Sequence, residues 1–512
     1  MKNLKILLAH EFLQQVKSFK FILMVTLSLI VTLFTVYVQV TDFKERFQNY
    51  EAEKLKATEE AGKAGTFAEL NVPVIIPPNP LSIFSKGFDE KAGNKIKISV
   101  EDLPELETIA QKKNPFMAVF INFDIVSIVK IILSLMAIFL IADSIAGERE
   151  EQTLKMIFIN RVNRLEFFIA KYIAALTAIS IPLFAIFLFS SFYISIQPSI
   201  QLSINFWLML LLIFLSSLGF LSVFVFLGLW ISIKASSSAQ VMIYGLLVWM
   251  LVVFIYPDLA NYTVSKVIDV PSSEELKADI DRIYNEYGVK LIEDHEKNYP
   301  KGRYYFSYMF QGSKIMFINK DNWVISLPSK QGITSKFKLE FDAGQVKRMI
   351  PVLLEYQDKM MDTYYDYRNN QLKQKRTASW LQVLMPGYLL DETARSLAGT
   401  SYDIRVLSLL KKTRQYRSIY INYINSKNGF GPKYFTQIPQ EIWSDDRNDY
   451  NPVIDLYNSR DNYPLLNLTD IPEFPTIEKF KVPLELFFLL LINLALLLMV
   501  NRAFLSFSII QD

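Results

Sequence analysis

The sequence has no cysteine and only two histidines, His10 and His295. The missing thiols exclude disulfides, thiolate nucleophiles and cysteine-ligated zinc. Two histidines so far apart in the chain do not predict a histidine-based metal site, and we expect each to be an ordinary polar residue. The chain is therefore not expected to hold a metal.

The motifs of nucleotide-binding and hydrolytic enzymes are also missing. The sequence contains no GxxxxGK[ST] phosphate loop, and neither HExxH nor GxSxG occurs in it. Such motifs place the backbone amides, the metal ligands or the nucleophile that these reactions need. We therefore expect a chain that is not an enzyme by itself and that binds no cofactor of its own.

The charge is nearly balanced, with 54 basic and 51 acidic residues and a net charge of +3. Since no basic arm or stripe is present, nucleic acid is not an expected partner. The sequence instead has long runs without any charge, at 21–40 and 172–233. About 20 apolar residues cross the roughly 30 Å of bilayer hydrocarbon as a helix. These runs predict an integral membrane protein.

Six membrane spans are predicted, which gives an all-α six-helix transmembrane bundle. The spans are residues 21–40, 122–142, 170–193, 204–231, 238–257 and 484–504. Between and after them lie a polar insert at 41–121, a charged loop at 143–169, a second insert at 258–483 and a tail at 505–512.

Residues 1–20 precede the first span and place leucines at helical spacing between lysines. This pattern predicts an amphipathic helix in the membrane interface, or a short soluble helix. Lys and Arg occur in the N-terminal tail, in the 143–169 loop, as Lys234 in the 232–237 loop and as Arg502 at the end of the last span. Because loops that carry Lys and Arg favour the cytoplasm, we expect a protein of the cytoplasmic (inner) membrane with both termini in the cytoplasm and both inserts on the extracytoplasmic side.

The insert 258–483 is predicted to be a mainly helical α+β extracytoplasmic domain. Charge mix and apolar spacing indicate helices at 273–298, 352–377 and 403–425. The stretches 304–310, "KIMFI" (314–318) and "NWVISL" (322–327) are more typical of strands. The many tyrosines of this insert suit either contact with an extracytoplasmic partner protein or the packing of a core.

Asp124 and Lys130 are charged residues near the outer boundary of the second span. They are either structural anchors or residues of a translocation path, since charges inside a span are costly and often functional. The central parts of all six spans carry no charge. This argues against ion-coupled transport, which needs titratable groups near the midplane. The driving force is expected to be applied from outside the membrane.

The stretch "IAGEREEQTLKMIF" (145–158) places a dense group of charges between two spans. A short helix over 143–157 at the cytoplasmic surface is predicted, with Glu148 and Glu151 one turn apart on one face. One interpretation is a solvated loop. The other is a docking surface for a cytoplasmic protein, which three glutamates favour because they do not serve the positive-inside rule.

The segment 141–175 resembles the signature of type 2 ABC transporter permeases. The residues that match it are Gly147, Glu148, Glu151, Thr153, Leu154, Asn160, Arg164, Lys171 and Tyr172. The stretches at 77–93, 114–116 and 384–401 resemble the branch of that family with a large extracytoplasmic domain of uncharacterised function.

The resemblance implies two ABC ATPase subunits, which hold ATP and Mg, and a second permease subunit in a homodimer or heterodimer surrounded by membrane lipids. It implies that the 143–169 loop is the coupling helix. The implied ATPase-coupling residues are Gly147, Glu148, Arg149, Glu151, Thr153, Leu154 and Lys155. Typical substrates would be lipids, glycans, peptides, drugs or ions, usually exported.

Two other functions stay open. In one, nothing crosses the bilayer, and the ATPase moves the outer domain and its partner. In the other, 258–483 is a hydrolase or polysaccharide-processing domain, although its sequence contains no recognisable catalytic constellation. The place where the family commonly has a small re-entrant element is occupied here by 258–483.

Overall fold

The computed structural model describes residues 2–89, 95–100, 106–107, 123–159, 163–298, 316–318, 324–326, 336–434 and 483–505, apart from positions 65, 69, 71, 99, 199 and 201. Helices dominate the described residues. They are α1 Lys2–Val16, α2 Phe19–Lys63, α3 Ile125–Glu150, α4 Thr153–Ile159, α5 Arg164–Ser195, α6 Ile204–Lys234, α7 Ser238–Val267, α8 Ser273–Asn298, α9 Lys336–Gln382, α10 Pro386–Ala398, α11 Leu409–Ser426 and α12 Leu484–Leu505.

The described residues also include two small antiparallel sheets. Strands β1 Val72–Ile75, β2 Lys95–Ile98 and β3 Leu106–Glu107 form the first, with Val74 opposite Ile96. Strands β4 Met316–Ile318 and β5 Val324–Ser326 form the second and confirm the strands predicted within 314–318 and 322–327. The strand predicted at 304–310 and the family-like stretch at 114–116 lie outside the described residues.

In the part of the chain that the structure describes, six helices are long and apolar enough to cross a membrane, which confirms the predicted bundle. They are α2, α3, α5, α6, α7 and α12. Helix α3 packs against both α6 and α7, and its apolar side chains join one continuous core with those of α5 and α6. Alternating helix directions give the bundle two ends. We call them the charged-loop end, which carries 143–163, and the insert end, which carries both inserts.

Glycines let α3 approach both of its neighbours closely. A Cβ added at Gly228 of α6 would lie 2.8 Å from the Ile141 Cγ2 atom, and one at Gly245 of α7 would overlap the Ile138 side chain. Small residues at such contacts allow transmembrane backbones to pack tightly. The position of α3 in the bundle therefore depends on these two glycines.

Several helices extend beyond the predicted spans. Helix α2 continues from the first span to Lys63, because 41–61 contains no Pro or Gly and many strong helix formers. At 1.5 Å per residue α2 is about 67 Å long, roughly twice the hydrocarbon thickness. Helix α7 likewise continues to Val267, and α9 has 47 residues. The helices predicted at 273–298, 352–377 and 403–425 are all present as helix.

Among the described residues, π-helical turns occur at Val129–Leu133 in α3, at Leu251–Ile255 in α7 and at Asp403–Ser408 before α11. The Trp249 indole donates a hydrogen bond of 2.8 Å to the Ser134 hydroxyl, which joins α3 and α7 beside their π turns. Such turns are rare in proteins and are frequently found at functional sites.

Candidate functional site: the charged loop

The charged loop is built from the end of α3, a tight turn and α4. Helix α3 continues to Glu150, and the chain reverses where Gln152 adopts a left-handed φ of 59°. The Thr153 hydroxyl then donates to the Glu148 carbonyl at 3.1 Å and fixes the start of α4. The structure therefore differs from the predicted single helix over 143–157. The turn separates it into two helices, and the acidic residues end the first one.

Lys171 of α5 joins three helices beneath this turn. Its ammonium group donates to the Glu11 carboxylate of α1 at 2.9 Å and to the Glu148 carboxylate of α3 at 2.8 Å. The Lys171 side chain is 1% exposed and that of Glu148 is 14% exposed. The ammonium also lies 4.6 Å from the centre of the Phe167 ring. Breaking such a buried group is costly, because it leaves unpaired charge in a medium of low dielectric constant.

Arg149 and Glu150 connect the loop to two other spans. The Arg149 guanidinium donates to the carbonyls of Ala235, at 2.7 Å, and Ile233, at 2.8 Å, at the C-terminus of α6. The Glu150 carboxylate accepts from the Ser238 amide at 3.2 Å, at the N-terminus of α7. A cation at a helix C-terminus and an anion at an N-terminus both match the helix dipole. A small movement of the loop would therefore pull on α6 and α7.

The α3 backbone is packed tightly at this end of the bundle. The Ser232 hydroxyl of α6 accepts from the Ala146 amide at 2.9 Å. A Cβ at Gly147 would lie 3.1 Å from the Ser238 hydroxyl oxygen and 3.2 Å from the Asp143 Cβ. Lys20, at the start of the first span, pairs with Asp143 at 2.5 Å. The loop is therefore rigidly attached to the bundle.

The outer surface of the loop is a different set of residues. Glu151, Gln152, Met156 and Ile159 are exposed, whereas Leu154 is buried against the bundle core. The Phe158 ring packs on the Phe167 ring, with their centres 5.3 Å apart. Of the predicted coupling residues, Glu148 and Leu154 thus face inward and Glu151 faces outward, while the Lys155 side chain lies outside the described part of the chain.

Residues 6–284 match the family described as ABC-2 family transporter protein, which is more than half of the 512 residues. The chain belongs to this family. It is therefore a multi-pass membrane protein and the transmembrane subunit of an ABC transporter, and its permease region is not itself a catalytic domain. The family implies an ABC ATPase as the partner. No curated protein and no solved structure matches the chain significantly.

The other residues of the signature have structural places in this ABC-2 permease. The Tyr172 hydroxyl lies 2.7 Å from the Ser222 hydroxyl, and its ring stacks on Phe226 with the centres 4.3 Å apart. Arg164 is the first residue of α5, and Asn163 caps that helix by accepting from the Leu165 amide at 2.9 Å. Asn160 lies outside the described residues.

Asp124 and Lys130 lie at the insert end of the permease, far from the charged loop. The Asp124 carboxylate caps α3 by accepting from the Ser127 amide at 2.8 Å. It also accepts from the Lys86 amide at 3.0 Å. Lys130 pairs with Asp391 of α10 at 2.6 Å. Both residues therefore anchor segments of the inserts to α3, which favours the anchoring interpretation over a role in translocation.

Sequence reasoning did not single out Glu11, which completes the Lys171 group. One signal was available. Lys171 adjoins an uncharged run of a span, and a lysine buried there needs an acidic partner from another element. Glu11 is the one acidic residue among the first 40 residues.

Proposed function

We propose that this chain is the permease of an ATP-driven exporter and that the charged loop receives the stroke of a separate ATPase. The observation that carries the proposal is the Lys171 group, because it ties α1, α3 and α5 together directly beneath an exposed turn. The charged-loop end would face the cytoplasm together with both termini. The inserts would then lie outside the membrane.

In this proposal two ATPase subunits hold ATP and Mg²⁺, and their closure presses on the exposed face formed by Glu151, Gln152, Met156 and Ile159. Leu154 and Phe158 would pass the movement to the bundle core by packing. The Lys171 group would pass it to α1 and α5, and Arg149 to the end of α6. This chain itself carries no nucleotide-binding motif, so the hydrolysis of ATP would belong to the complex.

The role of the loop can be tested by reversing one exposed charge and one buried charge. Glu151→Lys should leave the fold intact and lower both ATPase capture and substrate-stimulated ATP turnover, because its side chain points outward. Glu148→Lys should lower turnover and also destabilise the chain, because it faces Lys171. Glu59→Lys is the matched control, since Glu59 is exposed on α2 at the insert end. Unchanged assembly and turnover in Glu151→Lys would refute the docking assignment.

A second permease subunit, as a homodimer or heterodimer, is part of the proposal. In the most apolar stretch of each helix, 22% of the α7 residues and 11% of the α12 residues are buried within the protomer. These two spans leave wide apolar faces for lipid or for another copy of the chain. The proposed substrates are lipids, glycans or peptides, as the resemblance to the family implies.

The long helices favour a second function, in which nothing crosses the bilayer and the ATPase moves the outer inserts and a partner protein. Helices α2 and α9 extend well beyond a membrane thickness, as a device that transmits movement requires. Reconstituted vesicles separate the two functions. ATP-dependent accumulation or flipping of a lipid, glycan or peptide supports export, whereas an ATP-dependent change confined to the inserts supports transmission.

A further inference from the structure

Two stretches about 300 residues apart in the sequence meet at the insert end of the bundle. Residues 79–89 of the first insert and 386–405 of the second are both hydrogen-bonded and packed together, and we call this pair of segments the clasp. The Phe88 amide donates to the Thr400 carbonyl at 2.8 Å, and the Thr400 hydroxyl donates to the Ser85 carbonyl at 3.0 Å. The Phe88 and Tyr402 rings meet edge to face, with their centres 5.5 Å apart.

Gly87 makes this close approach of the two segments feasible. Its φ of +52° lies in the left-handed region, and an added Cβ would lie 2.6 Å from the Thr400 carbonyl oxygen. Either feature alone disfavours any residue with a side chain. The two halves of the clasp are therefore fitted to each other at the level of the backbone.

A buried ionic cluster holds the clasp on the extension of the first span. Asp89 of the first insert pairs with Arg46 of α2 on one side and with Arg405 of the second insert on the other. Asp42 of α2 accepts from Lys86 at 2.9 Å and from Arg46 at 2.8 Å. All five side chains are at most 5% exposed. Removing one partner from such a cluster is strongly destabilising, because another charge is left buried and unpaired.

The clasp is also attached to the second span. The Lys86 amide donates to the Asp124 carboxylate, and the Val126 amide donates to the Phe84 carbonyl at 3.1 Å. Lys130 in the π turn of α3 pairs with Asp391 of the clasp. A bend of α3 at that turn would therefore move Asp391 directly.

Apolar packing seats the clasp on the rest of the bundle. The Phe84 ring packs between Phe187 of α5 and Phe206 of α6, with centres 5.6 and 6.4 Å away. Leu389, Leu390 and Leu397 of α10 belong to the same buried core as the spans, and α10 packs against α6 and α12. Helix α9 leads into α10 within four residues, and Lys375 of α9 pairs with Glu392 of α10 at 2.8 Å.

We propose that the clasp is the joint through which movement of the first and second spans reaches the second insert, with Asp89 as its central positioning residue. This inference rests on the proposed function, because it needs the ATPase to drive the movement. Asp89 touches a cation from α2 and a cation from the second insert at once. It is thus placed to make the extension of the first span and the 386–405 segment of the second insert move as one body.

Spin labels on the full chain, reconstituted in nanodiscs with its ATPase, test the joint. The absence of native cysteine lets two introduced cysteines be labelled specifically. A bundle pair, Phe184→Cys with Ile243→Cys, reports movement between α5 and α7, and an insert pair, Ile243→Cys with Asp366→Cys, reports movement of α9. All three sites are exposed. Excess unlabelled chain confines each measured distance to one protomer.

In the wild-type clasp, ATP trapping should shift both distances. In Asp89→Asn the bundle pair should keep its shift and the insert pair should lose it. Asp362→Asn is the matched control and should keep both shifts, because its ion pair with Arg414 is exposed on the second insert. An insert pair that retains its full shift in Asp89→Asn overturns the joint. If neither pair shifts in the wild type, the proposed function fails and the joint fails with it.

Gly87→Ala gives a second and uncharged perturbation of the same contact, and it should reproduce the loss of the insert shift. Should neither variant accumulate, hydrogen exchange of the wild-type complex decides. ATP trapping should change the protection of 79–89 and 386–398 together. A change in one segment without the other would contradict the joint.

Discussion

At the scale of single residues, the signature of the charged loop divides into an inner and an outer set. Glu148 is bound to Lys171, and the Glu150 carboxylate accepts from the Ser238 amide at the start of α7. Glu151 sits on the exposed side of the turn. The three glutamates thus have three different surroundings: a buried lysine, the start of α7 and solvent.

Lys171→Met should lower the free energy of unfolding by about 3–5 kcal/mol, because Glu11 and Glu148 would stay buried without a cation. Adding Glu148→Gln to this variant should recover part of the loss, since one buried charge is then removed. Thermal unfolding of the detergent-solubilised chain measures both effects. Lys20→Met is the control and should cost about 1 kcal/mol or less, because its pair with Asp143 is partly solvated. Equal losses in the two lysine variants would contradict the role of Lys171.

At the scale of elements, α3 links the two ends of the bundle. It packs on α6 and α7 through glycines, it contains a π turn, and its two ends carry the charged loop and the attachment of the clasp. Any change in the position of α3 would displace both the charged loop and the attachment of the clasp. Its close contacts should therefore be sensitive to small changes of volume.

Gly245→Ala should destabilise the chain by about 1–3 kcal/mol, because the new methyl group overlaps the branched Ile138 side chain on a neighbouring helix. Gly219→Ala is the matched control in α6. Its methyl group would lie 3.3 Å from the Leu489 Cδ2 atom, which is the end of a side chain that can rotate away. Thermal unfolding compares the two variants. If both had the same midpoint temperature, the α3–α7 contact would be able to accommodate the added methyl group, which would contradict the prediction.

The sequence predicts the helices and strands better than the contacts between them. Uncharged runs reveal the spans, since hydrophobicity and length suffice for that purpose. Charge mix and spacing reveal α8 and much of α9. The helix ends were less predictable, because α2 and α3 continue into charged residues that are themselves good helix formers. The Glu11–Lys171 and Asp89–Arg405 pairs form between segments that are far apart in the chain. A single sequence does not show which residues of such segments come into contact.

At the scale of the whole molecule, the two ends of the bundle differ in construction. The charged-loop end is compact, with short connections and ionic ties between neighbouring helices. The insert end carries long helices that leave the bundle, with α9 about 70 Å in length. This asymmetry suits a molecule in which a small movement at the charged-loop end produces a larger displacement of the long helices at the insert end.

The predicted sidedness can be checked with single cysteines, because the chain has none of its own. Ile159→Cys at the charged-loop end should react with a membrane-impermeant maleimide only after the cytoplasmic side is opened. Thr377→Cys on α9 should react in intact cells or spheroplasts. Both positions are exposed in the structure. Labelling of both residues from the same side would invalidate the six-span topology.

The mutual fit of the clasp has an evolutionary consequence. If 386–405 were deleted, Asp89, Phe84 and Phe88 would be left beside an uncovered apolar bundle end. If 79–89 were deleted, Arg405 would be left buried without its carboxylate. Each half would therefore be less stable without the other, and we expect the two segments to be inherited together. Homologous permeases should contain both or neither, and a chimera should accept the pair from another lineage more readily than either member by itself.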